Sequence, residues 1–73
     1  MGDVTIRDDR SGISHVKIEC NSGLVIDADW KRNSFNDFGY DIYEPTVSRN
    51  TNRFAVMTLT RTVIASYLNG KYD

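Results

Sequence analysis

Two short runs of alternating apolar and polar residues are the clearest pattern in the chain. Residues 15–20 alternate in this way, and the same two-residue period returns over residues 24–30. Because successive side chains of a β-strand point to opposite faces, this alternation predicts strands with one buried face. Asn-Ser-Gly separates the two runs, and a short loop containing glycine is typical of a β-hairpin. The pattern predicts an antiparallel hairpin with strands at 14–20 and 24–30.

The C-terminal part of the chain predicts a helix. Between residues 51 and 69, seven apolar side chains fall within one half of a helical wheel: Val56, Met57, Leu59, Val63, Ile64, Tyr67 and Leu68. Thr51 or Asn52 is a candidate N-cap, and Asn69-Gly70 is a typical C-terminal stop. The same segment is rich in threonine and valine, which favour strands, so a strand over 53–59 followed by a shorter helix is the alternative. We favour one amphipathic helix.

Between the hairpin and the helix, the sequence predicts one more strand. Residues 40–44 favour a strand that Pro45 would end, since proline cannot donate to a sheet ladder. Residues 31–39 are expected to be a loop and residues 46–50 a connector. The fold class predicted is therefore α+β: a small antiparallel sheet, formed by the hairpin and a third strand near 40–44, packed against a C-terminal helix at about 51–69.

The two ends of the chain lack such strong patterns. We expect residues 1–12 to form a flexible N-terminal arm, although Val4 and Ile6 alternate with polar neighbours and also allow a short edge strand. Residues 13–70 would then be the single compact domain, and residues 71–73 a short tail.

Composition narrows the class of protein. Hydrophobic residues make up 40% of the chain and charged residues 26%, as is usual for folded proteins. One cysteine excludes an internal disulfide and fits a reducing compartment. No apolar run has the form of a signal peptide or the length of a membrane span. We therefore expect a monomeric cytoplasmic protein that does not enter the membrane.

The charges are unevenly distributed along the chain. Residues 1–44 carry five basic and nine acidic residues, a net charge of −4, whereas residues 45–73 carry four basic residues and one acidic residue, a net charge of +3. Two interpretations are open: the halves attract each other on folding, or a bipolar surface orients the molecule on a charged partner.

Groups able to carry out catalysis are scarce. His15 and Cys20 are the single histidine and the single cysteine, and neither has an evident orienting partner in the sequence. One histidine and one cysteine do not make a zinc site. Asp27 and Asp29 lie two apart on a strand and so share a face, where we read them as a solvated acidic stripe. We expect no enzymatic activity, no metal and no cofactor, and infer that the protein acts by binding.

The candidate binding residues are those that combine apolar or aromatic side chains with charge. One group lies near the N-terminus, where an extended segment can add a strand to a partner's sheet. A second group surrounds the only tryptophan, and a third lies in the C-terminal tail. The candidate partner-binding residues are Val4, Ile6, Arg7, Asp8, Trp30, Lys31, Arg32, Lys71 and Tyr72.

In its small size, mild acidity, scarcity of cysteine and lack of a catalytic constellation, the chain resembles the small regulators that tailed phages make to control a host. Among these, it resembles the phage proteins that bind bacterial RNA polymerase. The resemblance implies a partner on the large polymerase subunits in the host cytoplasm, interference with the sigma factor, inhibition of initiation or antitermination, and no cofactor. It rests on overall character and assigns no role to an individual residue.

Two alternatives from the residues themselves remain open. Glu19, Asp27 and Asp29 on one strand face would imitate DNA phosphates in an inhibitor of a host defence nuclease. Trp30, Lys31 and Arg32, with nearby tyrosines, are a mixture that binds single-stranded nucleic acid. A sequence pI of about 5.7 argues against nucleic acid as the main ligand, because nucleic-acid affinity rests on phosphate neutralisation.

Overall fold

Five antiparallel strands and one C-terminal helix make up the part of the chain that the structure describes. The structure is a computed structural model, and it describes residues 2–8, 12–32 and 40–70. The central strand of the sheet is β3, which pairs with β2 along one edge and with β4 and β5 along the other, while β1 pairs with β2. The elements in chain order are β1 (Asp3–Asp8), β2 (Ser14–Glu19), β3 (Val25–Arg32), β4 (Tyr40–Ile42), β5 (Thr46–Val47) and α1 (Arg53–Leu68). The α+β fold predicted from the sequence is confirmed.

The β2–β3 hairpin follows the alternation seen in the sequence. Its register runs from Ser14 opposite Trp30 to Glu19 opposite Val25. In the turn, the amide of Gly23 donates to the carbonyl of Cys20 at 2.9 Å. Gly23 has a φ of +91°, a conformation that side chains with a Cβ rarely adopt. The glycine therefore fixes the tight return between the two strands.

The core lies between one face of the sheet and one face of α1. It is built from alternate positions of β2 and β3 and from helix positions three or four residues apart, as the two periodicities require. Thr60 lies at the centre of the helix side with no exposed surface, and its hydroxyl donates to the carbonyl of Val56 at 2.8 Å. The buried apolar residues are Val16, Ile18, Ile26, Ala28, Trp30, Val56, Val63 and Ile64.

Trp30 is the largest buried side chain and joins the sheet to the helix. It is 1% exposed. Its ring makes edge-on contacts with Tyr40 of β4, with centroids 6.3 Å apart, and with Tyr67 of α1, with centroids 5.9 Å apart. Edge-to-face contact at these distances is favourable because the positive edge of one ring meets the negative face of another. Trp30 thus holds β3, β4 and α1 together.

Helix α1 begins and ends at residues suited to those positions. The side chain of Asn52 accepts a hydrogen bond from the amide of Ala55 at 3.0 Å, which satisfies one of the free amides of the first turn. After the last turn, Gly70 has a φ of +85° and its amide donates to the carbonyl of Tyr67 at 2.9 Å. The continuous helix over 53–68 confirms the preferred prediction over a strand followed by a shorter helix.

The structure differs from the sequence predictions at three places. Residues 3–8 are a fully paired strand, β1, and not a flexible arm, because Val4 and Ile6 pack against the core. Residues 46–47 are strand β5 and not only connector, since their backbone reaches the free edge of β3 beyond β4. Lys31 and Arg32 continue β3. The remaining predicted loop, residues 33–39, lies outside the described residues.

Replacing Trp30 tests the central role of this side chain. We expect Trp30→Ala to lower the free energy of unfolding by about 3–5 kcal/mol, a large share of the ~5–15 kcal/mol typical of a domain. Trp30→Phe should cost less, because it keeps an aromatic ring and removes a buried Nε1–H that has no hydrogen-bond partner among the described residues. Urea unfolding measures both effects.

The exposed neighbour serves as control: Lys31→Ala should change stability by less than about 0.5 kcal/mol. Wild-type stability of Trp30→Ala would contradict this packing.

Replacing Asn52 tests the helix cap. Asn52→Ala should lower stability by about 1 kcal/mol, because the amide of Ala55 loses its acceptor. Asn52→Asp keeps the acceptor and adds negative charge at the positive end of a helix whose first turn has no acidic residue, so it should equal or exceed the wild type. Thermal unfolding of the three proteins checks this order; an alanine variant as stable as the other two would show that the cap contributes nothing.

Candidate interaction surface

Among the described residues, one large apolar side chain is far more exposed to solvent than any other. Phe54 is 82% exposed, compared with 46% for Tyr43 and 39% for Ile13, the other two exposed large hydrophobic residues of the described part. Scattered apolar side chains are ordinary on protein surfaces. A phenylalanine exposed to this extent on a regular helix is more informative, because most of its hydrophobic surface stays in water.

The geometry of α1 explains why Phe54 points away from the core. Each residue of an α-helix turns by about 100°, so Phe54 lies roughly 200° around the helix from Val56. Val56, Thr60 and Val63 face the sheet and are buried. Once these positions are buried, Phe54 must lie on the opposite side.

Neighbours of Phe54 on that side are small or cationic. Residues three, four or seven positions apart share a helix face. The hydroxyl of Thr62 donates to the carbonyl of Thr58 at 2.9 Å, so these two side chains lie close along the helix. We call this exposed surface the α1 outer face, and it consists of Phe54, Ala55, Thr58, Arg61 and Thr62.

The charge of the helix is entirely positive. Residues 53–68 contain two arginines and no aspartate or glutamate. Arg53 is engaged with the loop before it: its guanidinium forms an ion pair with Glu44 and donates to the carbonyl of Pro45. The guanidinium of Arg61 has no hydrogen-bond or ion-pair partner in the described part of the chain. Arg61 is therefore the cation of the α1 outer face that no described residue pairs.

The opposite surface of the molecule, the outer face of the sheet, is rich in charges of both signs. It carries alternate residues of β1, β2 and β3, which the strand register places side by side. Its acidic residues in the described strands are Asp3, Glu19, Asp27, Asp29 and Asp41, and its basic residues are Arg7, Lys17 and Lys31, with His15 at the centre.

His15 is held between two carboxylates on this face. Its Nδ1 lies 2.9 Å from Asp29 Oδ1, and its Nε2 lies 3.1 Å from Asp27 Oδ1. An ionised carboxylate only accepts hydrogen bonds, so both contacts are hydrogen bonds at once only when both ring nitrogens carry a proton. The ring therefore bridges the two carboxylates of β3 and contacts one oxygen of each.

This arrangement limits what His15 can do chemically. A general base needs one ring nitrogen available to the substrate, and both nitrogens of His15 are engaged. A depression of about 120 Å³ lies beside the ring, with Tyr43, Glu44 and Thr46 on its other walls. In the described residues, no group of three or more histidine, cysteine, aspartate or glutamate side chains has a geometry able to hold a metal ion.

The candidate partner-binding residues whose side chains the structure describes do not form one surface. Trp30 is buried, so the prediction that it contacts a partner is wrong, and it offers no platform for stacking nucleic-acid bases. Val4 and Ile6 are partly buried on the helix side of β1, whereas Arg7 and Lys31 are exposed on the outer face of the sheet. Asp8 and Arg32 belong to strands, but their side chains lie outside the described structure, as do Lys71 and Tyr72 altogether.

Phe54 is not among the binding residues predicted from the sequence. It falls outside the half of the helical wheel that the other large apolar residues of the helix share. The signal available in the sequence was an aromatic residue in the first turn that lies outside the apolar stripe.

The uneven charge along the chain becomes a difference between two surfaces. Among the described residues, the single ion pair that joins the acidic N-terminal half to the basic C-terminal half is Arg53–Glu44. The remaining ion pairs of the described part lie within the N-terminal half. The cationic α1 outer face and the mixed outer face of the sheet thus stay on opposite sides of the molecule.

Comparisons of the chain with protein-family models, with curated proteins and with solved structures found no match. Within the described residues, no helix is both long enough and apolar enough to span a bilayer.

Truncating Phe54 tests whether its side chain is truly outside the core. We expect Phe54→Ala to change the free energy of unfolding by less than about 0.5 kcal/mol, because an exposed side chain contributes little to packing. The measurement is the same urea unfolding used for Trp30. A loss above 1 kcal/mol would show that Phe54 packs against another part of the chain.

Proposed function

We propose that this protein acts by binding another protein through the α1 outer face, with Phe54 as the central contact. The observation that carries the proposal is the 82% exposure of this phenylalanine. Burying a phenylalanine side chain on association contributes about 1.5–3 kcal/mol. Interfaces typically depend on a few such anchors, with aromatic residues and arginine prominent among them.

The charge of the α1 outer face indicates the kind of surface that fits it. Arg61 has no counter-ion in the described structure, and the helix carries no carboxylate. An acidic patch on the partner would pair with Arg61 and would speed the encounter through long-range attraction. A cationic partner would instead leave a buried arginine without a counter-ion, which is costly.

The first partner to test comes from the resemblance to small phage regulators: host RNA polymerase, contacted on its large subunits in the host cytoplasm. On this proposal the protein inhibits or redirects transcription, at initiation or through antitermination, by contact alone. The nuclease-inhibitor alternative gains no support from the sheet, since His15 occupies two of the carboxylates that would imitate phosphates and Lys17 and Lys31 lie among them.

Binding to purified bacterial RNA polymerase tests the proposal. The protein is passed over immobilised core enzyme and over holoenzyme with its sigma factor, and its retention is measured. We expect retention at micromolar concentration, and we expect Phe54→Ala to weaken it roughly ten- to a hundred-fold, as the loss of one buried phenylalanine predicts. Arg61→Glu should also weaken it, with a reduced dependence on salt.

A matched control lies on the other side of the molecule. Lys17→Ala removes an exposed cation from the outer face of the sheet and should leave retention unchanged. Lys31→Ala tests whether Lys31, one of the partner-binding residues predicted from the sequence, contributes to retention. No retention of the wild-type protein would reject the polymerase as partner. Retention that is equal for the wild type and Phe54→Ala would reject the α1 outer face as the contact.

A further inference from the structure

Within the described residues, the outer edge of β1 pairs with no strand. β1 pairs with β2 along one edge over its six residues, and no other strand in the described ranges pairs with its second edge. Alternate residues of an edge strand present unpaired N–H and C=O groups that can extend the sheet. Natural edge strands often carry proline, which blocks such pairing, but the β1 sequence Asp-Val-Thr-Ile-Arg-Asp contains none.

The apolar side of this edge is incompletely covered. α1 packs across β2 and β3. Val4 and Ile6 pack against the margin of the core and remain partly exposed. A strand added beside β1 would cover the apolar surface that the helix leaves open.

On the other face, the charges of β1 are poorly matched within the chain. Asp3 lies directly opposite Glu19, and Arg7 lies directly opposite His15, so neither faces a residue of opposite charge on β2. Like charges in directly opposed positions destabilise a sheet. Neither Asp3 nor Arg7 has an ion pair or side-chain hydrogen bond to a described residue.

We propose that two copies of the chain associate edge to edge through β1, in an antiparallel register centred on Thr5. In this register Asp3 of one copy lies opposite Arg7 of the other, and Arg7 opposite Asp3. Val4 lies opposite Ile6 on the apolar face, and Thr5 lies opposite Thr5 on the two-fold axis. The same strand therefore supplies both halves of a self-complementary interface.

The other symmetric registers match less well. A register centred on Val4 places Asp3 opposite Thr5, and one centred on Ile6 places Arg7 opposite Thr5, so that neither forms the charge pair. Registers centred between two residues would place apolar positions opposite polar ones, because side chains alternate along a strand. Only the Thr5 register satisfies both faces of β1.

Such a dimer has a definite arrangement. The two-fold axis is perpendicular to the joined sheet, so both helices lie on the same side, over the continuous apolar face. Both α1 outer faces then point in the same direction, although the dimer does not depend on the function proposed for them. This inference departs from the monomer expected from the sequence.

Charge exchange between residues 3 and 7 is the direct test. The assembly state is measured by sedimentation over micromolar to millimolar concentrations of the wild type and of Asp3→Arg, Arg7→Asp and the double variant. We expect the wild type to pass from 8.3 kDa towards twice that mass. Each single variant should dissociate at least ten-fold more readily, because like charges then face each other across the axis, and the double variant should recover the wild-type affinity.

The single variants are not expected to fail through misfolding. Arg at position 3 would face Glu19, which improves the pairing within the chain, and position 7 is exposed, so that Asp there should disturb the fold little. Urea unfolding of the monomers, at a concentration where the wild type is also monomeric, should therefore show Asp3→Arg equal to or above the wild type in stability and Arg7→Asp close to it. This separates a lost dimer contact from a lost fold.

Disulfide trapping tests the register itself. In a Cys20→Ser background, Thr5→Cys places two thiols opposite each other on the axis, where directly opposed Cα atoms are about 4.5–5.5 Å apart, within the range of a disulfide. Oxidation should yield a covalent dimer. Arg7→Cys is the matched control, since the two copies of residue 7 would be four residues apart along the strands, or about 14 Å, which is too far to bridge.

Three outcomes would overturn the proposal. A monomer at every concentration would show that the β1 edge takes no second copy. A dimer that is indifferent to charge exchange, and that Phe54→Ala dissociates, would place the contact on the α1 outer face. Equal trapping by Thr5→Cys and Arg7→Cys would reject the Thr5 register. A dimer that follows the charge exchange while polymerase retention fails would support this interface and reject only the proposed function.

Discussion

The burial of Trp30 is the constraint on which the rest of the structure depends. Its side chain is the largest in a core of only eight buried apolar residues among those described, and it contacts one aromatic ring from the neighbouring strand β4 and one from α1. Tyr67 is near the end of α1, so its contact with Trp30 fixes where the helix crosses the sheet. Tyr40 is the first residue of β4, so its contact with Trp30 fixes where β4 begins to pair with β3. A small domain buries a small apolar area in total, so this one side chain supplies a larger share of the stability than it would in a larger protein.

Once the helix is oriented by its buried face, the two remaining surfaces differ in character. The helix presents Phe54 and Arg61 on a side without carboxylates. The sheet presents charges of both signs, and His15 lies in contact with both Asp27 and Asp29. A single helix covers only part of a sheet this wide, and the consequence is the partly exposed apolar edge at Val4 and Ile6. Both binding surfaces that we propose therefore follow from the packing of one helix on one sheet: one is the helix face that points away from the sheet, and the other is the sheet edge that the helix does not cover.

The two proposals concern different physical features and do not require each other. Phe54 offers hydrophobic area beside one cation, which fits a folded acidic surface. β1 offers backbone hydrogen bonds with a charge pattern that complements itself, which fits a second copy of the same strand. If both hold, the dimer presents two equivalent α1 outer faces on one side, and a partner with two sites would bind more tightly through effective concentration.

The sequence by itself determined the elements whose patterns repeat locally. The β2–β3 hairpin, the turn at Gly23 and the single helix with its stop at Gly70 all follow from periodicity and turn chemistry, which act between near neighbours. Tertiary structure decided the rest. It buried Trp30, which the sequence predicted as a partner-binding residue, and it decided in favour of an edge strand, and against a flexible arm, for residues 3–8. It brought His15 between Asp27 and Asp29, residues twelve and fourteen positions away. These outcomes depend on strand register and on which helix face meets the sheet, and no local pattern contains that information.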